Sequence, residues 1–193
     1  MRFVHAICIA LLMAQSGTEF VHAQETTPTP PQRSSAPAGE GKQRSEEETR
    51  KRLQQLACGP SSVHFSQHTE KGPQVLPEQP ADKGLIYVIR TKGYEGAMVQ
   101  AKLAMDGKWV GVNRMASYFY IEVDPGPHYF CLKAGAGPGT IGLLSLVIEK
   151  GKTYYLRQNL TMGGTDLDLL DEAKGKEYVA KYHRSVFEVK PKK

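Results

Sequence analysis

The chain of 193 residues contains no run of about 18 apolar residues and no Gly-X-Y repeat, which excludes a polytopic membrane protein and a fibrous one. A strong excess of one charge is missing too. The formal net charge is +5, enough for contact with anionic surfaces and too little to point to nucleic acid. Catalytic signatures are also absent: there is no Gly-x-Ser-x-Gly elbow and no pair of carboxylates that pattern places as acid and base. The loop Gly135-Ala-Gly-Pro-Gly-Thr140 lacks the Lys that a phosphate cradle needs before its Ser or Thr. The expectation is a non-catalytic protein that needs no cofactor. What the chain does have is 19 Gly and 12 Pro, the composition of a turn-rich β fold.

The first residues specify a compartment. Arg2 precedes the apolar run Ala6-Ile-Cys-Ile-Ala-Leu-Leu-Met-Ala14, and Val21 and Ala23 supply the small residues of a secretory cleavage site. Residues 1–23 therefore read as a signal peptide cut after Ala23. Cys8 lies inside the apolar run and not just after it, so the exported chain, periplasmic or secreted, is expected without a lipid anchor. Residues 24–44 are rich in Thr, Pro, Ser and Gly with almost no large apolar side chain, and read as a disordered tether. Ser45-Glu-Glu-Glu48 matches a capping box, predicting a short helix over residues 45–58 that stops at Gly59-Pro60. Residues 59–84 read as an irregular linker and residues 190–193 as a basic tail.

Residues 85–189 carry the strand signals. Asp106-Gly107 between alternating segments predicts a type I′ hairpin that sets Leu103 opposite Val110 and Ala101 opposite Val112. Residues 117–123 alternate, with Phe119, Ile121 and Val123 on one face and Tyr118, Tyr120 and Glu122 on the other. A second hairpin through Asp124-Pro-Gly-Pro127 is expected to pair Ile121 with Phe130. Residues 143–148 read as a strand covered on both faces, residues 172–182 as a short helix, and Phe187 and Val189 as part of an edge strand. The sum is an all-β fold: a small β-sandwich of about seven short antiparallel strands, with an open barrel as the neighbouring possibility, and a short helix at each end.

Three groups of residues are candidates for chemistry. His64 and His68, four apart, would share a metal only on a helix, and the pattern places none there, so no metal site is expected. Trp109, Tyr118 and Tyr120, with Lys102, Lys108 or Lys133 nearby, could form an aromatic row that stacks on sugar rings or docks a peptide, unless a sheet or helix covers them. Cys58 and Cys131 remain once the signal is removed, and an oxidising compartment predicts that they are bonded, closing a loop worth roughly 4 kcal/mol.

Five segments occur together in order: Ile86-Tyr-Val-Ile-Arg90, Leu103-x-Met-Asp-Gly-Lys-Trp-Val-Gly111, Ser117-Tyr-Phe119, Pro125-Gly-Pro-His128 and Gly151-Lys-Thr-Tyr-Tyr155. Over residues 85–182 the chain resembles a bacterial exported family known as domain of unknown function 2846, many of whose members are described as lipoproteins. The resemblance implies an envelope-associated accessory or interaction module, meeting cell-wall polymer, a carbohydrate or another envelope protein. It supplies no catalytic residues. A carbohydrate-binding module with an exposed aromatic platform is the alternative, and a hydrolase a more distant one.

Overall fold

The computed structural model describes residues 38–60, 63–70, 72, 74–93, 98–135, 141–161 and 164–190, with side chains of the first helix from residue 43. The expected signal peptide of residues 1–23, residues 24–37 of the expected tether, most of the glycine-rich loop and residues 191–193 lie outside them. The chain divides into two units, residues 1–36 and residues 37–193, and all that follows concerns the second.

In chain order the elements are α1 (Ala38–Ala57), β1 (His64–Thr69), β2 (Gly84–Arg90), β3 (Ala101–Met105), β4 (Lys108–Asn113), β5 (Ser117–Val123), β6 (Gly126–Ala134), β7 (Ile141–Ile148), β8 (Thr153–Thr161), β9 (Gly164–Leu170), α2 (Glu172–Lys181) and β10 (His183–Lys190). They build a six-stranded sheet in the order β1-β10-β5-β2-β8-β9 and a four-stranded sheet in the order β4-β3-β6-β7. The fold is a β-sandwich with terminal helices and no closed barrel. Its described strands number ten where about seven were expected, and two of the pairings, β10 with β5 and β2 with β8, are parallel.

The main core lies between the sheets. Ile86, Val88, Phe119 and Leu156 from the larger sheet meet Leu103, Phe130, Leu132 and Ile148 from the smaller one. The outer face of the larger sheet is covered as well, by α2, whose Val179 packs with Tyr87, Tyr118 and Tyr155. That double cover explains why β2, Gly-Leu-Ile-Tyr-Val-Ile-Arg, carries no charged side chain before Arg90 and is buried at every position. Asp171 caps α2 by accepting the Lys174 amide at 2.8 Å.

Several expectations are corrected. Helix α1 begins by Ala38, so residues 38–44 are helical and Ser45 is interior to the helix, its carbonyl accepting the Thr49 hydroxyl. The linker contributes β1, which lies along β10 from His64 opposite Lys190 to Thr69 opposite Ser185, so β10 is an inner strand and not an edge. No hairpin joins β5 to β6: the turn at Asp124 passes the chain from the larger sheet to the smaller. Strands facing one core across a sandwich show the same alternation as strands paired in a hairpin, and the pattern could not separate the two. Strand β7 forms the edge of its sheet, with Val147 exposed.

The Asp106-Gly107 turn is present, with φ of 49° and 78°, and pairs Met105 with Lys108 and Ala104 with Trp109. Beyond it a β-bulge shifts the register, setting Leu103 opposite Gly111 and Ala101 opposite Asn113 in place of Val110 and Val112. The Phe119 ring accounts for glycine here: a Cβ on Gly111 would stand 2.4 Å from it. The slip carries Asn113 into the interior. There its amide donates to the Val88 carbonyl at 2.9 Å and to Gln158 Oε1 at 3.1 Å, while Ser117 donates to Asn113 Oδ1 at 3.2 Å. This buried polar knot couples the two sheets.

Candidate functional site

The three aromatic residues singled out from sequence do not form one surface. Tyr118 is fully buried beneath α2, near Tyr87 at 6.0 Å between ring centroids, and its hydroxyl donates to Gln74 Oε1. Tyr120 is half-buried, and its hydroxyl accepts a 3.0 Å bond from Arg184. Arg184 in turn holds Glu70 through two bonds of 2.9 and 2.8 Å. Trp109 belongs to the other sheet, on its opposite outer face. Trp109, Tyr118 and Tyr120 therefore do not make one platform: Tyr118 is aromatic core, and Tyr120 packs half-buried at the margin of the same cluster.

Trp109 marks the more informative place. Cross-strand partners share a face, so register alone defines two rows on the outer face of the four-stranded sheet. One row is Trp109, Ala104, Cys131 and Leu143. The next is Val112, Lys102, Lys133 and Ile141. Into the first row drops the end of α1. Cys58 is bonded to Cys131 with 5.0 Å between their Cα atoms, and Ala57 is fully buried against Ala104. The Ala57 carbonyl accepts the Gly107 amide at 3.2 Å. Gly59 then lies flat on the indole, where an added Cβ would meet Nε1 at 2.7 Å, and Trp109 Nε1 donates to the Pro60 carbonyl at 2.9 Å.

In the second row, Lys102 and Lys133 stand directly opposite each other on antiparallel strands. Both are half-buried, and with Val63, Gln100 and Trp109 they line a cavity of about 260 Å³. Lys102 Nζ donates to the Val63 carbonyl at 3.0 Å. Burial, and then the charge of Lys133, push the Lys102 ammonium below its ordinary pKa. Among the described residues, neither lysine is in an ion pair with a carboxylate. Two facing like charges destabilise a sheet, so the fold tolerates this pair at a cost.

The other polar groups are engaged structurally. His128 has Nδ1 at 2.6 Å from Asp106 Oδ2 and Nε2 at 2.8 Å from the Asp124 carbonyl, while Asp106 Oδ1 accepts the Tyr129 amide, tying the β3–β4 turn to β6. His64 and His68 lie on β1, not on a helix, and on a strand four residues span roughly 13 Å, too far for a shared ion. Arg90 is buried, which lowers its guanidinium to a pKa of about 10, and it donates to the Val99 carbonyl. Two of the larger clefts among the described residues are less matched to a ligand. One of about 770 Å³ beside α2 holds Tyr178, already stacked on Tyr182 at 5.5 Å and covered by Lys174 at 5.0 Å. The other, about 710 Å³ beside α1, mixes Glu46 and Glu47 with Arg50.

The sequence pointed to Lys102 and Lys133 only as neighbours of the aromatics. Their confrontation depends on the β3–β6 pairing, which joins strands separated by β4 and β5 and leaves no local signature. Among known proteins, an uncharacterized protein of Haemophilus influenzae is 23% identical over 134 residues, covering 67% of this chain and 77% of that protein. No family model matches the chain. No solved structure matches it either.

Proposed function

We propose that this chain is an exported, non-catalytic interaction module of the bacterial cell envelope, a divergent relative of the exported family it resembles, and that it docks through the cavity beside Trp109. The observation that carries the reading is the Lys102–Lys133 pair, two cations held face to face without a carboxylate among the described residues. A sheet that retains such a pair at a cost to stability is best explained by a partner that neutralises it. The Cys58–Cys131 bond supports the oxidising compartment. Because the Cys131 sulfur is bonded, it supplies no thiolate nucleophile, which supports a role in binding.

The test is retention. Purified, disulfide-bonded chain lacking residues 1–23 is mixed with insoluble envelope polymer from bacteria and sedimented, with cellulose as the control. Co-sedimentation with the envelope polymer alone is expected, reduced by Trp109→Ala. A chain that stays in the supernatant with both materials overturns the reading.

A further inference from the structure

We propose that the cavity between Lys102 and Lys133 captures one anionic oxygen group, a carboxylate or a phosphate ester, presented by an envelope polymer; this rests on the docking function proposed above. The cavity's size and donors specify the ligand. About 260 Å³ admits a single small polar group with its nearest water and excludes a folded peptide or a stack of sugar rings. Lysine ammonium is a compact point charge with three donors, suited to carboxylate and phosphate alike, whereas a site built for one planar carboxylate would use the arginine fork.

One Lys102 proton is committed to the Val63 carbonyl, which fixes the ammonium at the wall and leaves two protons for a ligand. The Lys133 ammonium faces it across the ladder, so an anion between them meets a charge on either side. Binding removes the repulsion that the empty site bears. It therefore gains twice, from the new contacts and from relief of the old strain. Trp109 and Gln100 line the same cavity.

The experiment is isothermal titration calorimetry on the full disulfide-bonded chain lacking residues 1–23. Three soluble probes are used: polygalacturonate for carboxylates, a glycerol-phosphate oligomer for phosphate esters, and dextran as the neutral polymer. Binding to at least one polyanion, weakening with added salt, and no binding to dextran are expected. Whichever polyanion binds identifies the source of the anion. Lys102→Gln and Lys133→Gln should each weaken that binding roughly tenfold or more, the effect of losing one charged hydrogen bond. Lys150→Gln, which removes the same charge from an exposed turn, should leave it unchanged. Since removing the Lys133 charge relieves the cross-strand repulsion with Lys102, its variant should melt no lower than the parent, so its loss of binding cannot be assigned to unfolding.

A polyanion that binds both cavity variants as well as the parent overturns the proposal, as does equal binding of dextran. If no probe binds while envelope polymer still sediments the chain, the anion site fails and the docking function stands. If a polyanion binds in this lysine-dependent way but envelope polymer does not sediment the chain, the anion site stands and the docking function fails.

Discussion

Lys102 carries a penalty that can be measured without any ligand. Its folded pKa is lowered, so between that value and its ordinary 10.5 the unfolded chain holds more protons, and stability from this group rises with pH across that window. Tyr87 acts in the opposite direction. Burial, reinforced by Tyr155, Tyr118 and Tyr120, raises its hydroxyl from 10.0 to about 12. Between those values the unfolded tyrosine ionises while the folded one stays neutral, so the stability it contributes is complete below pH 10 and is lost as pH climbs toward 12. Tyr118 and Tyr155 are raised for the same reason, so the tyrosine contribution should dominate. Alkaline unfolding followed by circular dichroism, with phenolate absorbance alongside, should set in above pH 10 and move to higher pH in Tyr87→Phe. At neutral pH, Lys133→Gln should raise stability by about 0.5 kcal/mol through relief of the cross-strand repulsion. Added salt should shrink that gain, which denaturant titration at two salt concentrations would reveal.

At the scale of elements, α2 provides a substitution whose direction runs against helix propensity. Replacing glycine by alanine inside a helix ordinarily stabilises by up to about 1 kcal/mol. Gly175 is pressed on Tyr155, where a Cβ would stand 2.1 Å from Cγ of the ring, so Gly175→Ala should destabilise by about 1 to 3 kcal/mol through overpacking. Thermal melting decides the sign. Elements with strong local chemistry were legible in the sequence: the alternating strand of residues 117–123, the positive-φ turn at Asp106-Gly107, and the short helix that became α2. Features fixed by distant partners were not. His64-Phe-Ser-Gln-His-Thr69 has a single large apolar residue and becomes a strand only because β10 offers its edge. The bulge between Trp109 and Gly111 was hidden because Phe119, the ring packed on Gly111, comes from another sheet.

For the whole molecule, the Cys58–Cys131 bond was readable because only two cysteines remain after the expected cleavage, whereas which face it stands on and what it walls in were not. The bond spans 73 residues, and its loss in the double variant Cys58→Ala/Cys131→Ala should cost up to about 4 kcal/mol by the chain-entropy argument, less if the reduced chain keeps residual structure. The loss should be uneven. Helix α1 is exposed from Arg44 to Arg52 and buries Ala57 alone completely, so its amides should exchange far faster in the double variant. Amides of β2, held between two strands and buried on both faces, should keep most of their protection, because the sandwich core does not involve α1. Hydrogen exchange resolved by residue distinguishes this from global loosening, in which β2 and α1 would accelerate together.

The same bond decides how the domain bears a pull. Tension applied along α1 enters the sandwich at Cys131, near the middle of β6, a strand flanked by β3 and β7. The covalent link delivers that load to the interior of a sheet, where the ladder bonds on both sides of β6 resist together, instead of to a terminal strand that could peel away one bond at a time. A domain tethered through this helix is thus gripped at its centre. Under oxidising conditions it should withstand a higher rupture force than after the bond is cut, and single-molecule stretching from the α1 end would register the difference.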